Sequence, residues 1–216
     1  MIKAFKLALL TTLITISGFA SAEIDAELVE RAKQGIAEAQ FSLGEMYRNG
    51  EGVPQDDKEA VKWYRLAAEQ GIAEAQYNLG VKYNAGEGVP EDNKEALKWF
   101  RLAAEQGHAE AQHNLGVAYA FGKGVPDDDK EAARWFRLAA EQGYASSQFN
   151  LGVVYNIGHG VPEDDLIAYA WVNLAGANGY DVTNFKEMLE RSMSPEDISE
   201  AQKLTRQMMK DFPDIY

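Results

Sequence analysis

A glycine recurs every 36 residues along most of this chain. The five copies are Gly35, Gly71, Gly107, Gly143 and Gly179. The first four begin similar units (35–70, 71–106, 107–142 and 143–178) that read A-x-A-Q-x-x-L-G-x-x-Y or a close variant, then G-x-G-V-P, then a stretch rich in alanine and tryptophan. Such a period is typical of solenoids, whose units stack because none can bury its apolar face alone. The repeat therefore constrains the fold more than any other feature.

Each unit contains two helical patterns. In the first unit, small and apolar residues spaced three and four apart predict a helix A at about 36–48, with Leu43 and Tyr47 on its buried stripe. The same spacing around Trp63 predicts a helix B at about 57–70. Two helices per unit predict an all-α protein.

The residues between the helices are typical of turns and caps. Gly50 and Gly52 favour backbone angles that other residues resist. Asp56 and Glu59 form a D-x-x-E version of the capping box, and Gly71 follows helix B where a left-handed residue belongs. The aspartate recurs in the other units as Asp92, Asp128 and Asp164. A carboxylate that recurs once per unit is interpreted as a cap and not as a catalytic acid.

The first 22 residues differ from the rest of the chain. Lys3 and Lys6 precede a short apolar run, and Ala20-Ser21-Ala22 provides an A-x-A cleavage signal. This pattern is typical of a secretory signal peptide. We therefore expect cleavage near Ala22, a periplasmic or secreted protein, and no membrane span after removal of the signal.

Composition excludes several classes of function. The chain has no cysteine, which rules out disulfides, a lipoprotein anchor, thiol catalysis and cysteine-ligated zinc. Removing residues 1–22 would take away two lysines and no acid, changing the formal charge from −13 to −15. Such an acidic protein should avoid nucleic acid and favour neutral or basic partners. We expect a monomer when no partner is bound.

Together these motifs resemble the Sel-one-like repeat, a relative of the tetratricopeptide repeat. The resemblance covers about residues 35–179 and implies antiparallel helix pairs stacked into a right-handed α-solenoid. It also implies scaffold or adaptor work, often in bacterial envelope assembly, signalling or host contact. The family's cysteine-bridged subgroup, some members of which are linked to β-lactam binding, is poorly matched because this chain has no cysteine.

Both ends are expected to cap the stack. Residues 23–34 predict an N-terminal capping helix, and residues 179–216 a degenerate repeat with C-terminal capping helices, one near 183–192 and one that begins at Ser194-Pro195. In the fourth helix B, Ala170 and Asn173 stand where earlier units carry lysine or arginine. We therefore expect the C-terminal helices to cover that face.

The resemblance places helix A on the concave side of the stack and predicts a partner groove there. We call each set of equivalent positions along the stack a level of the groove. The first level is Phe41, Tyr77, His113 and Phe149; the second is Glu45, Val81, Val117 and Val153; the third is Asn49, Ala85, Phe121 and Ile157. The border of the groove is formed by Asn78, Asn114 and Asn150. The groove becomes more apolar towards the C-terminus, which suits an extended peptide or a partner helix. Alternatively, the aromatic residues of the first level pack between adjacent A helices as core.

Three functions compete at this point. The first is a non-enzymatic scaffold of the bacterial envelope, the second a secreted factor that contacts host or neighbouring-cell proteins, and the third an envelope enzyme or small-molecule binder. The third is the least supported, because Ser42, Ser146 and Ser147 occupy repeat-consistent positions and no histidine has an evident acid partner. His108, His113 and His159 do not share a helical face, so we expect neither a metal nor a cofactor.

Overall fold

The computed structural model describes residues 26–212 and 215, and this part of the chain contains eleven α-helices and no strand. The A helices are α2 (Ala37–Asn49), α4 (Ala73–Ala85), α6 (Ala109–Phe121) and α8 (Ala145–Ile157). The B helices are α3 (Asp57–Glu69), α5 (Asn93–Glu105), α7 (Asp129–Ala140) and α9 (Asp165–Ala177). α1 (Ala26–Lys33) precedes them, and α10 (Thr183–Ser192) and α11 (Pro195–Asp211) follow. Consecutive helices pack on one another from α1 to α9, which confirms the predicted all-α solenoid. The predicted signal peptide lies outside the described residues.

The glycine in the middle of helix A allows the two helices of a repeat to touch. A Cβ atom on Gly44 would lie 2.6 Å from the ring of Tyr64, and one on Gly80 would lie 2.7 Å from the ring of Phe100. Both distances are well inside van der Waals contact, so any larger residue would push the helices apart. The buried alanines of helix B, such as Ala60 and Ala67, complete this close packing.

The cap of helix B is confirmed, but the reciprocal half of the capping box is wrong. Asp56 accepts hydrogen bonds from the backbone N–H groups of Lys58 (2.9 Å) and Glu59 (3.1 Å). The Asp56 N–H, however, donates to the carbonyl of Tyr47 at 2.9 Å, so Glu59 has no donor to receive there and pairs with Lys62 instead. Glu59 therefore forms an ion pair on the helix surface and does not cap the helix. Gly71 has a φ of +94°, as expected for the residue that follows helix B.

A buried glutamine joins each repeat to its neighbours. Gln76 donates from Nε2 to the carbonyl of Ala68 in the preceding helix B at 3.0 Å, and its Oε1 accepts from Gln106 at the end of its own helix B at 2.7 Å. Gln40 and Gln112 make the same pair of bonds. The two glutamines of each repeat thus bond to each other, and the first also bonds to a carbonyl near the end of the preceding helix B.

The C-terminal helices cover the fourth B helix, as predicted. α11 packs across α9, where Ala170 is fully buried and Asn173 donates to Thr205 Oγ1 at 3.3 Å. α11 begins as expected, with Ser194 accepting from the N–H of Asp197 and Pro195 in the first turn. The loss of the two basic residues in this repeat therefore follows from the loss of solvent at that face.

Candidate functional site: the helix A groove

The rings of the first predicted level are half-buried and join neighbouring repeats. Tyr77 packs on Phe100 of its own helix B, with ring centroids 5.9 Å apart, and stacks on His108 of the next repeat at 4.5 Å. Phe41 packs on Tyr64, His113 on Phe136 and Tyr144, and Phe149 on Tyr180 and Phe185. These side chains therefore contribute to the packing between repeats while one part of each faces solvent.

The second level changes from polar to apolar along the stack. Glu45 accepts hydrogen bonds from the hydroxyl of Tyr64 and from Asn78 Nδ2, the latter at 2.9 Å, and it pairs with Arg48. Burial, reinforced by the bond to Glu45, raises the pKa of Tyr64 well above its ordinary value. In the next repeat the equivalent pair is Val81 and Phe100, which carry no polar group. The polar end of the groove is thus satisfied by its own side chains.

The border asparagines differ in the same way. Asn78 is held by Glu45, but Asn114 and Asn150 make no side-chain hydrogen bond within the described part of the chain. Both are half-buried, so their amides are partly accessible. Each amide can donate two hydrogen bonds and accept two, which matches the backbone of an extended segment.

Two furrows lie between consecutive A helices. The furrow between α4 and α6 has a volume of about 270 Å³ and is lined by Val81, Val117 and Asn114 together with Lys123. The furrow between α6 and α8 has a volume of about 200 Å³. Its lining includes the predicted residues Phe121, Asn150, Val153 and Ile157. The structure thus brings together seven of the twelve predicted side chains in two adjoining furrows, whereas Phe41, Tyr77, Asn78, His113 and Phe149 line neither.

The α6/α8 furrow presents large apolar side chains to solvent. Phe121 is 72% exposed and Ile157 is 47% exposed, although each ends a helix whose other apolar residues are buried or half-buried. Lys123 lies over the ring of Phe121 at 6.0 Å from its centroid. Exposed apolar groups beside a concave pocket are typical of interaction sites.

Sequence reasoning missed two polar groups of this furrow. His159 and Asp129 line it, with His159 Nδ1 3.8 Å from an oxygen of Asp129. They meet because the second glycine of the connector rests on the preceding helix B: a Cβ on Gly160 would lie 2.2 Å from the Asp129 carbonyl. The repeated G-x-G could have indicated this contact, since only a residue without a side chain allows such an approach.

The equivalent junction two repeats earlier, between the first and second repeats, is a buried ion pair. Lys82 is almost fully buried and donates to Asp57 and to Glu87, each at 2.7 Å. Burial alone would lower the pKa of Lys82, but the bonds to the two carboxylates outweigh it and the pKa is raised. Lys82 therefore remains charged and joins the first two repeats.

The histidines have partners that the sequence did not predict. His108 lies 3.2 Å from Glu110, so the expectation that no histidine has an acid partner is wrong. His113 Nδ1 lies 2.8 Å from Ser147 Oγ, and burial lowers the pKa of this histidine. Ser147, however, is fully buried at a position that holds alanine in the first three repeats, so its hydroxyl cannot meet a substrate. Among the described residues, no three His, Asp or Glu side chains are grouped to hold a metal ion.

Comparison with known proteins decides the family. The Sel1 repeat model matches residues 37–72, 73–108, 109–144 and 145–180, two thirds of the chain. The chain belongs to the Sel1 repeat family. The matched units start two residues after the recurring glycine, which is the same period counted from the start of helix A. Proteins with Sel1 repeats generally mediate protein–protein interactions and are generally not enzymes.

Two solved structures are similar over most of the chain. One is a protective antigen present in uropathogenic Escherichia coli strains and described as displaying an SLR fold; it is 36% identical, has a TM-score of 0.79, and is matched over 87% of this chain and 41% of its own. The other is a Sel1 repeat protein from Oxalobacter formigenes, 34% identical with a TM-score of 0.71, matched over 83% of this chain and 76% of its own. This chain thus spans less than half of the E. coli protein. A comparison with curated proteins finds no match.

Proposed function

We propose that this Sel1 repeat protein is an exported, non-enzymatic scaffold that holds a segment of a partner protein in the C-terminal half of its groove, in bacterial envelope assembly or signalling. The observation that carries this proposal is the α6/α8 furrow, where Phe121 and Ile157 are exposed beside a pocket of about 200 Å³. Exposed apolar side chains that border a concave pocket support an interaction role, unlike an isolated exposed residue such as Met188. In the described part of the chain, none of the helices has the length and apolar character needed to cross a bilayer.

The furrow favours a particular kind of partner. An apolar side chain of the partner fits between Phe121 and Ile157, while Asn114 and Asn150 bond to its backbone. Asp129 at the rim and a formal charge of −13 favour a neutral or basic segment. An extended peptide or a short helix with one apolar anchor meets these requirements.

The absence of catalysis is part of the proposal. The closest resemblance to a nucleophile and base is the pair of Ser147 and His113, and the serine is enclosed. Turnover of a cell-wall substrate by the purified protein, abolished by Ser147→Ala, would overturn this part.

One comparison favours the alternative of a secreted factor that contacts host or neighbouring-cell proteins. The similar E. coli structure is described as a protective antigen of uropathogenic strains. The same groove would then hold a partner outside the cell. The two readings differ in compartment and partner, not in the binding surface.

Cross-linking inside and outside living cells tests both readings. A photoreactive residue is placed at Ile157, with Met188 of α10 as a matched control because it is 43% exposed and lines neither furrow. We expect one cross-linked partner at Ile157 and none at Met188, recovered from the periplasm for the envelope scaffold or from the culture medium for the secreted factor. Equal labelling at both positions would contradict the groove.

The same preparation tests export. We expect the protein purified from the periplasm or medium to begin at Glu23, which mass spectrometry of the intact chain measures directly. An intact N-terminus in the cytoplasm would contradict export while leaving the groove untouched.

A further inference from the structure

The B helices carry a second repeated surface. An open furrow of about 460 Å³ lies between α3 and the connector that joins α4 to α5. Its lining is Lys58, Val61, Lys62, Arg65, Leu66, Gly88 and Val89. A furrow of about 370 Å³ with the equivalent lining lies 36 residues later, from Lys94 to Val125. We call these two the outer furrows. They are formed by helix B, so they are separate from the groove of the A helices.

The fourth repeat shows what this surface can hold. Leu66 and Leu102 are 42% and 44% exposed in the outer furrows, whereas Leu174 at the equivalent position has no exposed surface. The difference is α11, an amphipathic helix that lies across α9 and buries it. The face of helix B is thus shaped to receive a helix, and in the first two repeats that place is open.

The charges differ between the covered and the open repeats. Where α11 packs, the repeat has Leu166, Ala170 and Asn173, but the open repeats have lysine or arginine at all three positions. The first three B helices together hold nine of the 21 lysines and arginines of an otherwise acidic chain: Lys58, Lys62, Arg65, Lys94, Lys98, Arg101, Lys130, Arg134 and Arg137. α11 carries four acids and three bases, so a helix with a larger excess of acids would match the basic side chains of the open repeats better than α11 does.

Part of this charge has no acidic partner within the protein. Lys58 and Lys94 are exposed and form no ion pair in the described part of the chain. Arg101 lies over the ring of Tyr119 at 5.9 Å and donates to its hydroxyl, which holds the guanidinium at the furrow edge with donors to spare. Lys62 and Lys98 pair with glutamates one turn away on the surface, an interaction of little energy that a bound carboxylate can replace.

We propose that the outer furrows bind an acidic amphipathic helix of a partner protein. Its apolar side packs on Leu66 and Leu102, in the way that α11 packs on Leu174, and its carboxylates face Lys58, Lys94 and the positioned arginines. This site is independent of the groove, so the scaffold can hold two segments at once on opposite helices of the same repeats.

The test uses synthetic 18-residue helical peptides and the full-length protein after removal of residues 1–22. One peptide has a leucine stripe flanked by glutamates, the second has lysines in place of the glutamates, and the third has the composition of the first in scrambled order. Fluorescence anisotropy at two salt concentrations measures binding. We expect the acidic peptide to bind at least tenfold more tightly than either of the others, and more weakly at high salt.

Matched variants locate the site. Leu66→Ser with Leu102→Ser, and Lys58→Ala with Lys94→Ala, should each weaken the acidic peptide at least fivefold. The control Met188→Ser with Lys203→Ala removes one exposed apolar side chain and one base elsewhere and should bind like the unmodified protein. Circular dichroism confirms that these surface changes leave the helices intact.

Three results would overturn the proposal. Equal binding of the acidic and scrambled peptides, or unchanged binding by the leucine variant, would reduce the effect to general charge attraction. Unchanged binding by both pairs of variants would place the peptide elsewhere. Binding to phosphatidylglycerol vesicles without binding to the acidic peptide would show that the basic surface serves a membrane.

Discussion

The first repeat and the third differ at the same positions of one backbone frame. In the first, Glu45 accepts from Tyr64 and Asn78, so the polar groups of the groove satisfy one another. In the third, Val117 and Phe136 replace the acid and the tyrosine, and Asn150, the equivalent of Asn78, has no partner among the described residues. The same backbone accommodates the polar and the apolar side chains because the repeated glycines and alanines determine the spacing of the helices. We propose that binding capacity belongs to the repeats whose variable positions are left unsatisfied, and variants that alter one end of the groove at a time test this.

The largest expected effect is on partner binding at the apolar end. Replacing Phe121 and Ile157 with aspartate should weaken binding of the cross-linked partner by two to three orders of magnitude, because two anchoring residues at about 2 kcal/mol each are lost. Asn49→Asp adds a charge at the same level of the first repeat, outside both furrows, and should change affinity less than fivefold. Titration calorimetry compares the two. Loss of helicity in the first variant would instead show that its residues belong to the core.

The next effect is on the stability of the polar end. Glu45→Val should cost about 1–3 kcal/mol, because it leaves the buried hydroxyl of Tyr64 without its acceptor. Adding Tyr64→Phe recreates the Val81 and Phe100 pair of the second repeat and should recover most of that loss. Urea denaturation of the single and double variants gives the coupling energy. Additive losses would show that the pair does not act as a unit.

A third prediction concerns the loss of stability at acidic pH. Because burial lowers the pKa of His113 below its usual 6.5, the unfolded chain takes up the proton more readily, and the folded protein loses stability as pH falls below about 6.5. The double variant His113→Phe with Ser147→Ala restores the Phe41 and Ala75 pairing of the first repeat and should remove this part of the acid sensitivity. Melting temperatures at pH 7.5 and 5.5 measure it. Ser147→Ala alone is the control, since it keeps the buried imidazole, and it should retain most of this acid sensitivity.

The smallest effects compare two asparagines. Asn78→Ala should lower the free energy of unfolding by about 1 kcal/mol, because it removes a bond to Glu45. Asn150→Ala removes no bond within the described residues and should change stability by less than about 0.5 kcal/mol while weakening partner binding several-fold. Equal effects of both changes on stability would contradict the difference between the two ends.

Much of the fold could be predicted because its causes are local. The period of Leu43 and Tyr47 determines a helix, Asp56 caps the next, and Gly71 ends it, all within one unit. The predicted helix A ends within one residue of the observed Asn49. The loss of charge at Ala170 also predicted the cover by α11, since a base cannot be buried there without a partner.

The contacts of the site were harder to predict because they join distant residues. His113 meets Ser147 and His159 meets Asp129 across 34 and 30 residues of sequence, at distances set by how one repeat stacks on the next. The capping box failed for a different reason, a contact within one repeat: the carbonyl of Tyr47, left free at the end of helix A, takes the N–H that Glu59 was expected to accept. Periodicity determines which face a residue occupies, but not which neighbour reaches it.

Hydrogen–deuterium exchange of the protein with and without its cross-linked partner tests the central claim most directly. We predict that bound partner slows exchange in the C-terminal halves of α6 and α8, around Phe121 and Ile157, and leaves α2 around Glu45 unchanged. Protection centred on α2, or spread evenly over all four A helices, would contradict the claim that the apolar, unsatisfied end of the groove is the binding site.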